Sequence, residues 1–306
     1  MKLMSRLLLA GMILAAPAAM AQTAATPAAG PEGAAYTKPK TSWGVPDLQG
    51  FWNNTSITSM QRSPDAKSLM VSQKEADRLV NRNVLIVLSK EDQSTNGQDP
   101  NNTKLLEDKN NDRGYNSFWI DPGNNYANVK GTWRTSWIVD PPSGQVPISD
   151  EGKKYIAANR GSRGRGTGYD NPEERGAGER CIVGFGGTGG PPMMNVLYNN
   201  NYQIVQSKDY VVIVVEMNHD ARIIPLNAEH RPGALKPYLG DSIGWWEGDT
   251  LVVETININP NGGSQVQLTP GGKIIERFTR YSDNQILYEF EINDPALYSQ
   301  VWKGEV

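Results

Sequence analysis

The segment "YQIVQSKDYVVIVVEMNHDARIIPL", residues 202–226, decides the fold class of this chain. Its two apolar runs, 202–206 and 210–217, are rich in β-branched residues, and the polar residues 207–209 separate them. Such runs on either side of a short polar break are typical of two antiparallel strands joined by a tight turn. The segment therefore predicts a β-hairpin.

The pattern of paired strands and tight turns continues toward the end of the chain. Two more hairpins are predicted around turns at 247–249 and 282–284, and a further strand begins within 298–304. Successive antiparallel strands of this kind predict a meander over residues 196–306 that closes into an up-and-down barrel. The predicted fold is mainly β, antiparallel, with a few N-terminal helices.

Residues 41–195 are predicted to add strands, helices and loops that pack on this barrel. Ser72 and Glu75 form a capping box before a run of apolar residues at helical spacing, and a shorter helix is predicted near Ser149. Three extended segments each contain tryptophan and either complete the barrel or form a smaller sheet over its mouth. They are "LQGFWNN" (48–54), "YNSFWID" (115–121) and "TWRTSWIVD" (132–140).

Several tryptophans are candidates for lining one cavity. A Trp ring offers a large apolar surface together with an N–H donor, although ordinary core packing explains a scattered Trp equally well. Two glutamates on the predicted strands are candidates for the same cavity. The candidate ligand-binding residues are Trp52, Trp119, Trp133, Trp245, Glu254 and Glu276.

The N-terminal residues predict export. A short basic region, an apolar stretch and the small-x-small site Ala19-Met20-Ala21 form the pattern of a secretory signal peptide over residues 1–21. The Ala/Pro/Gly-rich residues 22–40 are interpreted as a flexible tether. No later stretch approaches the ~20 apolar residues that span a bilayer. The mature protein is therefore expected in the periplasm or outside the cell, without membrane insertion.

Composition argues against several classes of function. The net charge of −3 disfavours a nucleic-acid binder, which needs a basic surface, and the Arg/Gly-rich segment 159–180 is interpreted as a solvated loop. Cys181 is the single cysteine, so it cannot form an internal disulfide, and it is expected to be a small buried residue. With His219 and His230 as the two histidines, the sequence contains no metal-ligand motif.

The segment "GFGGTG", residues 184–189, satisfies the spacing G-x-G-x-x-G of a dinucleotide site. Such a site needs a helix that opens on the last glycine, whereas Gly190-Pro191-Pro192 follows here and no βαβ alternation surrounds it. The segment is therefore interpreted as a glycine-rich loop that shapes the mouth of a pocket. No cofactor is predicted.

The polar cluster in "EMNHDARIIPL", residues 216–226, is the candidate catalytic group. In the functional interpretation His219 is a general base, Glu216 or Asp220 orients it, and Arg222 holds an anionic group or a developing oxyanion. In the alternative interpretation these residues are the polar end of a buried strand, and His219 is a hydrogen-bonded structural residue.

Charged residues on apolar strand faces predict a buried network. Glu254 alternates in phase with Val252, and Glu276 alternates in phase with Ile274 and Phe278. A buried carboxylate needs a partner or carries a raised pKa, because desolvation disfavours its charged form. Arg222 is one possible partner. The sequence leaves open whether these groups form a buried ion network or an acid/base site.

Several strings resemble a family of secreted bacterial proteins of unassigned function, in an order and spacing that cover residue 43 to the end. They include "PDLQGFWNNTS", "RTSWIVDPPSGQVPIS", "EMNHDARIIPL" and "GDSIGWWEGDTLVVET". The resemblance implies export and no particular chemistry. At the level of fold alone, the C-terminal half also resembles the lipocalin-like (calycin) barrels.

Three hypotheses for function follow. The first is a cofactor-independent lyase, isomerase or hydrolase that acts on an apolar or aromatic compound inside an aromatic-lined pocket. The second is a non-enzymatic periplasmic protein that binds a small molecule in the same pocket. The third is a surface interaction module with an exposed apolar patch.

Overall fold

The computed structural model describes residues 36–87, 121, 123–158, 170–184, 187–233, 235–259 and 266–306. Tyr36–Val306 forms one compact unit. The predicted signal peptide, most of the predicted tether and Trp119 lie outside the described residues. Among the residues described, no helix has the length and apolar character needed to cross a membrane.

The described ranges contain two full α-helices and thirteen β-strands, and residues 84–87 are also α-helical. The helices are α1 (Gln73–Val80) and α2 (Asp150–Ala158). The strands are β1 (Gly50–Asn53), β2 (Met70–Val71), β3 (Ala127–Val129), β4 (Thr132–Arg134), β5 (Ile138–Asp140), β6 (Asn201–Gln206), β7 (Tyr210–Val215), β8 (Ala221–Pro225), β9 (Asp241–Glu247), β10 (Thr250–Ile256), β11 (Lys273–Ser282), β12 (Gln285–Asn293) and β13 (Trp302–Glu305).

The strands form three antiparallel sheets. The first sheet has the order β1-β6-β7-β8, the second β5-β13-β12-β11-β10-β9, and the third, much smaller, β2-β4-β3. Strands β6 to β8 and β9 to β13 are neighbours in chain order, and short turns join β6 to β7, β9 to β10 and β11 to β12. The predicted antiparallel β-structure is therefore confirmed, whereas the predicted single meander is divided between two sheets, with β6 to β8 in one and β9 to β13 in the other.

The hydrogen bonds between the described strands do not close a ring. The two large sheets meet where an isolated bridge joins Leu226 to Gly244, next to β8 and β9. Strands β1 and β5 are the outer edges of the two sheets. Of the Trp-containing N-terminal segments, 48–54 contributes β1 to the first sheet, and 132–140 contributes β4 to the small sheet and β5 to the second sheet, whereas residues 115–120 lie outside the described residues.

One apolar core joins the two large sheets. In β7, Val211, Ile213 and Val215 are fully buried, whereas Val212 and Val214 are half-buried, so this strand has one fully buried face instead of the two that its sequence suggests. The opposing sheet contributes Leu251, Val253, Ile274, Phe278, Phe290, Ile292 and Trp302. Each such side chain stabilises the fold by roughly 1.5–3 kcal/mol through burial.

Both predicted helices are present and begin at the predicted residues. The Ser72 hydroxyl accepts a hydrogen bond from the Glu75 amide at the start of α1. The Ser149 hydroxyl accepts one from the Gly152 amide and donates to the Leu297 carbonyl, so α2 is fixed to the segment before β13. This contact leaves no space at Gly152, where a Cβ atom would lie 2.1 Å from the Leu297 oxygen.

We predict that Gly152→Ala destabilises the protein, although alanine normally favours a helix over glycine. The added methyl group overlaps backbone atoms, and overpacking of this kind typically costs about 1–3 kcal/mol. Thermal melting followed by circular dichroism measures the loss. Gly271→Ala is the control, because the nearest atom to its Cβ lies 4.0 Å away. Equal melting temperatures for the two variants would contradict the prediction.

Candidate functional site

A cavity of about 710 Å³ lies between the two large sheets and the small sheet. Strand β1, at the edge of the first sheet, forms one side through Phe51 and Trp52, and β11 and β12 form the opposite side. Asn128 and Trp133 of the small sheet complete the lining. The cavity therefore occupies the region where the hydrogen-bonded strands do not close.

Aromatic side chains dominate the wall of this cavity. Trp52 and Trp133 line it as predicted, and Trp137, which was not among the predicted residues, lines it as well. The indole of Trp52 donates to the Leu48 carbonyl (2.9 Å), and that of Trp137 to Asn195 Oδ1 (2.8 Å), so both rings are held in place. Tyr126, Tyr202, Phe278, Tyr281 and Tyr288 also contribute.

Arg280 supports Trp52 from one side. Its guanidinium carbon lies 5.3 Å from the centre of the Trp52 ring, a distance typical of cation–π contact. Its Nη1 and Nη2 donate to the carbonyls of Asp47 (2.9 Å) and Asp283 (2.7 Å), and Nε donates to that of Ser282 (3.3 Å). Arg280 thus ties the turn between β11 and β12 to the segment that precedes β1.

A buried ion pair lies behind the cavity wall. Arg222 on β8 and Glu276 on β11 form a two-pronged salt bridge, with Nη1 2.8 Å from Oε1 and Nη2 paired with Oε2. Their side chains are 1% and 0% exposed. Burial lowers the pKa of Arg222, but the charge of Glu276 and its hydrogen bonds outweigh that effect and raise it. The pairing that strand phase indicated is therefore present.

Two tyrosines connect the ion pair region to the cavity. The Tyr288 hydroxyl donates to Glu276 Oε1 (2.7 Å) and accepts from the Met193 amide (2.9 Å). The Tyr202 hydroxyl donates to the Thr188 carbonyl and accepts from Asn54 Nδ2, both at 3.2 Å. Burial raises the pKa of both phenols, and the Glu276 charge raises that of Tyr288 further. Both hydroxyls are protonated and hydrogen-bonded within the protein, so neither is a ready acid or base.

The predicted catalytic side chains form no hydrogen bonds with one another among the described residues. Strand β7 ends at Val215, and Asn218 and His219 then adopt left-handed backbone angles (φ 59° and 52°), so strand alternation does not continue to His219. Glu216 Oε2 accepts from Asn201 Nδ2 (2.8 Å), and Asp220 Oδ2 accepts from the Gly184 amide (2.7 Å). Among the described residues, neither carboxylate forms a hydrogen bond with His219.

His219, Asp220 and Arg222, three of the four predicted catalytic residues, line a second groove, of similar volume, beside β8 and the start of β9. Cys181 lines the same groove and is exposed, so its expected burial is wrong. The local reason is that its backbone is left-handed (φ 55°), in a turn at the surface. Asp220 anchors the glycine-rich loop, since a Cβ at Gly189 would lie 3.2 Å from its carboxylate.

The remaining predicted ligand-binding residues lie away from the cavity. Trp245, on β9, does not line it, and its indole donates to Glu247 (2.9 Å). Glu254 pairs in register with Ile275, whereas Glu276 pairs with Val253, so the two glutamates lie on opposite faces of their sheet. The four charged residues that could face inward together are Glu216, Arg222, Glu254 and Glu276. Of these, Arg222 and Glu276 form a salt bridge.

A second charge cluster, which sequence patterns did not indicate, lies on the outer face of this sheet. His230 Nδ1 lies 3.0 Å from Asp241 Oδ2, and its Nε2 lies 3.3 Å from Glu254 Oε1. Arg231 binds Asp241 (2.7 Å), and Lys273 binds Glu254 (2.9 Å). No local motif links a histidine to carboxylates 11 and 24 positions later. In the described ranges, no group of His, Cys, Asp and Glu side chains is arranged to hold a metal ion.

No family model, curated protein or solved structure matches this chain. The resemblance to secreted bacterial proteins therefore stays a prediction. The geometry of the two pockets carries the functional argument by itself.

We predict that Arg222→Met destabilises the protein by about 3–5 kcal/mol, because it leaves the Glu276 carboxylate buried and unpaired. Equilibrium unfolding in denaturant measures this loss. Replacing both partners with Met should recover much of it, since apolar substitution of a whole buried pair is often tolerated. Arg277→Met, on the same strand as Glu276, is the control, because the partly exposed salt bridge of Arg277 contributes only about 0–1 kcal/mol.

Equilibrium unfolding in denaturant also tests whether His219 has a structural role. As an exposed side chain without a hydrogen bond among the described residues, it should tolerate His219→Ala within about 0.5 kcal/mol. A loss of stability in His219→Ala as large as that in Arg222→Met would contradict this prediction and show that His219 has a structural role.

We predict that the outer charge cluster stabilises the fold at neutral pH and loses this effect in acid. Burial raises the pKa of Asp241, but hydrogen bonds from Arg231 and His230 outweigh it and lower the pKa below its usual value of about 3.9. A lowered pKa stabilises the folded state above the unfolded-state pKa, and the gain disappears as the pH falls through the folded-state pKa. Asp241→Asn should therefore melt below the parent at pH 7, with a difference that narrows below about pH 4. Asp209→Asn, at an exposed turn, is the control and should follow the parent at both pH values.

Proposed function

We propose that this protein is a secreted small-molecule-binding protein whose aromatic-lined cavity receives a largely apolar or aromatic compound. The observation that carries the proposal is the cavity itself, with Trp52, Trp133 and Trp137 in its wall. Its volume of about 710 Å³ lies within the range of roughly 300–1,000 Å³ that is typical of ligand pockets.

The state of the polar groups favours binding over catalysis in this cavity. Tyr202 and Tyr288 donate their hydroxyl protons to protein acceptors. Arg222 and Glu276 form a salt bridge with each other behind the cavity wall. Asp283 is the single carboxylate among the described lining residues, and it is exposed. A general acid or base must reach the reacting atoms within hydrogen-bonding distance, and among the described lining residues neither Tyr202 nor Tyr288 has a hydroxyl proton free for that role.

We further propose that the two large sheets act as a lipocalin-like cup. One apolar core joins them, the Leu226–Gly244 bridge holds them at one side, and the small sheet covers the opposite side. A cup of this kind encloses a ligand without requiring every strand to pair, because side chains fill the remaining gap. Export to the periplasm, implied by residues 1–21, fits a protein that captures small molecules outside the cytoplasm.

A second candidate is a cofactor-independent lyase, isomerase or hydrolase in the groove of His219. The presence of His219 and Asp220 in one solvent-accessible groove favours it. The Arg222 side chain is occupied by Glu276, so an oxyanion would need another partner. Conversion of a bound compound, followed by NMR, should fall by about 10²–10⁴ fold in His219→Ala if this histidine is the base. Unchanged conversion would remove the candidate.

We predict that the neutral fluorescent probe N-phenyl-1-naphthylamine binds in the cavity and that Trp133→Ala weakens binding by at least about tenfold, through the loss of aromatic contact. Fluorescence titration measures the dissociation constant. Trp245→Ala is the matched control, because Trp245 does not line the cavity. Equal weakening by both variants, or no binding by the parent, would contradict the proposal.

A further inference from the structure

The rim of the cavity has an unusual composition. Lining residues that are also exposed must lie where the cavity meets solvent, and seven described residues satisfy both conditions. Five of the seven have side-chain amides, and the other two are Phe51 and Asp283. The five amides belong to Gln49, Asn53, Asn128, Asn284 and Gln285.

The floor of the cavity is different. Its buried lining residues are mostly apolar or aromatic. The hydroxyls of Tyr202 and Tyr288 and the indole N–H of Trp137 already have protein partners. The polarity of the lining therefore rises from the floor to the rim. The floor includes Trp137, Met193, Ile204, Ile213, Phe278 and Tyr288.

Charge contributes little to this lining. Arg280 and Asp283 are the two charged residues among those described in it, and they are of opposite sign. Three nitrogens of the Arg280 guanidinium donate to backbone carbonyls, which leaves its face against Trp52. The two charges cancel, so the lining carries no net charge and fits a neutral molecule better than an ion.

Side-chain amides have a particular hydrogen-bonding capacity. Each offers one carbonyl acceptor and two N–H donors, and a hydroxyl group can serve as partner to either. The amides of Asn128, Asn284 and Gln285 form no hydrogen bond with the residues the structure describes, so they are available. Asn128 lies on β3. Asn284 is the last residue of the turn before β12, and Gln285 is the first residue of β12, so these two amides are adjacent. Several hydroxyls on one rigid ring would match such a rim.

We propose that the cavity binds an amphiphilic ligand, with an apolar or aromatic group on the floor and a neutral polyhydroxylated head, of the glycoside type, at the amide rim. This inference rests on the proposed function, because it names the ligand class of the same cavity. The aromatic group displaces water from the floor, and the head exchanges hydrogen bonds with water for hydrogen bonds with the amides. The preference for the head comes from those amides and not from charge.

Three probes that share one aromatic group test the inference by isothermal titration calorimetry. They are 2-naphthyl β-glucoside, 2-naphthyl sulfate and 2-methoxynaphthalene, which differ in the head. We expect the glucoside to bind at least about tenfold more tightly than the other two. Tightest binding of the sulfate would overturn the inference and assign an anion to Arg280. Equal binding of all three would overturn the inference and leave the proposed function intact, whereas no binding of any probe would remove both.

A rim variant supplies the second readout. Asn128→Leu combined with Gln285→Leu should abolish the preference for the glucoside while leaving the affinity for 2-methoxynaphthalene within about twofold. Gln300→Leu, an exposed amide outside the cavity, is the matched control and should bind all three probes like the parent. The rim variant could instead lose the same affinity for every probe while keeping its melting temperature. That result would show that these amides do not distinguish the glucosyl head from the other heads, and it would overturn the inference.

Discussion

Arg222 and Glu276 meet at the centre of the core, one from each of the two large sheets. Removing two charges from water costs several kcal/mol per ion, and that cost is offset only when the geometry is good and the remaining lone pairs are satisfied. The two-pronged contact provides that geometry, and the Tyr288 hydroxyl adds a hydrogen bond to Glu276, although Arg222 Nε is buried without a hydrogen-bond partner among the described residues. The pair therefore tolerates few alternative positions of one sheet against the other, and the shape of the space between the sheets follows from it.

The cavity is the outcome of that constraint. Tyr288 is held by Glu276 and by the Met193 amide, and both Tyr288 and Met193 form part of the floor. On the opposite side Tyr202 is fixed between Asn54 and Thr188. Because these side chains already have partners, the floor is ordered before a ligand arrives, and less conformational entropy is lost on binding.

Strand phase was enough to predict the antiparallel strands and their turns, and it offered Arg222 as one possible partner of Glu254 and Glu276, since a guanidinium and a carboxylate on apolar faces need each other. It could not decide which face of β10 points inward, because Val252 and Val253 are both fully buried and Glu254 follows on one of the two faces. It also failed at His219. The strand ends three residues before Asn218, where the left-handed backbone turns the chain, and residues 216–219 contain no glycine that would have marked this turn.

The cavity has no sequence motif because of how it is assembled. Its lining runs from Gln49 to Val306, and seven strands contribute between one and four residues each, which look like ordinary core or surface residues in their own segment. Trp133 and Trp137 illustrate the point, since both are in one short string and reach the same cavity from two neighbouring elements of different sheets. A binding site of this kind resides in the shape left between sheets that do not close, and the open edge at β1 is the feature of the fold that makes room for it.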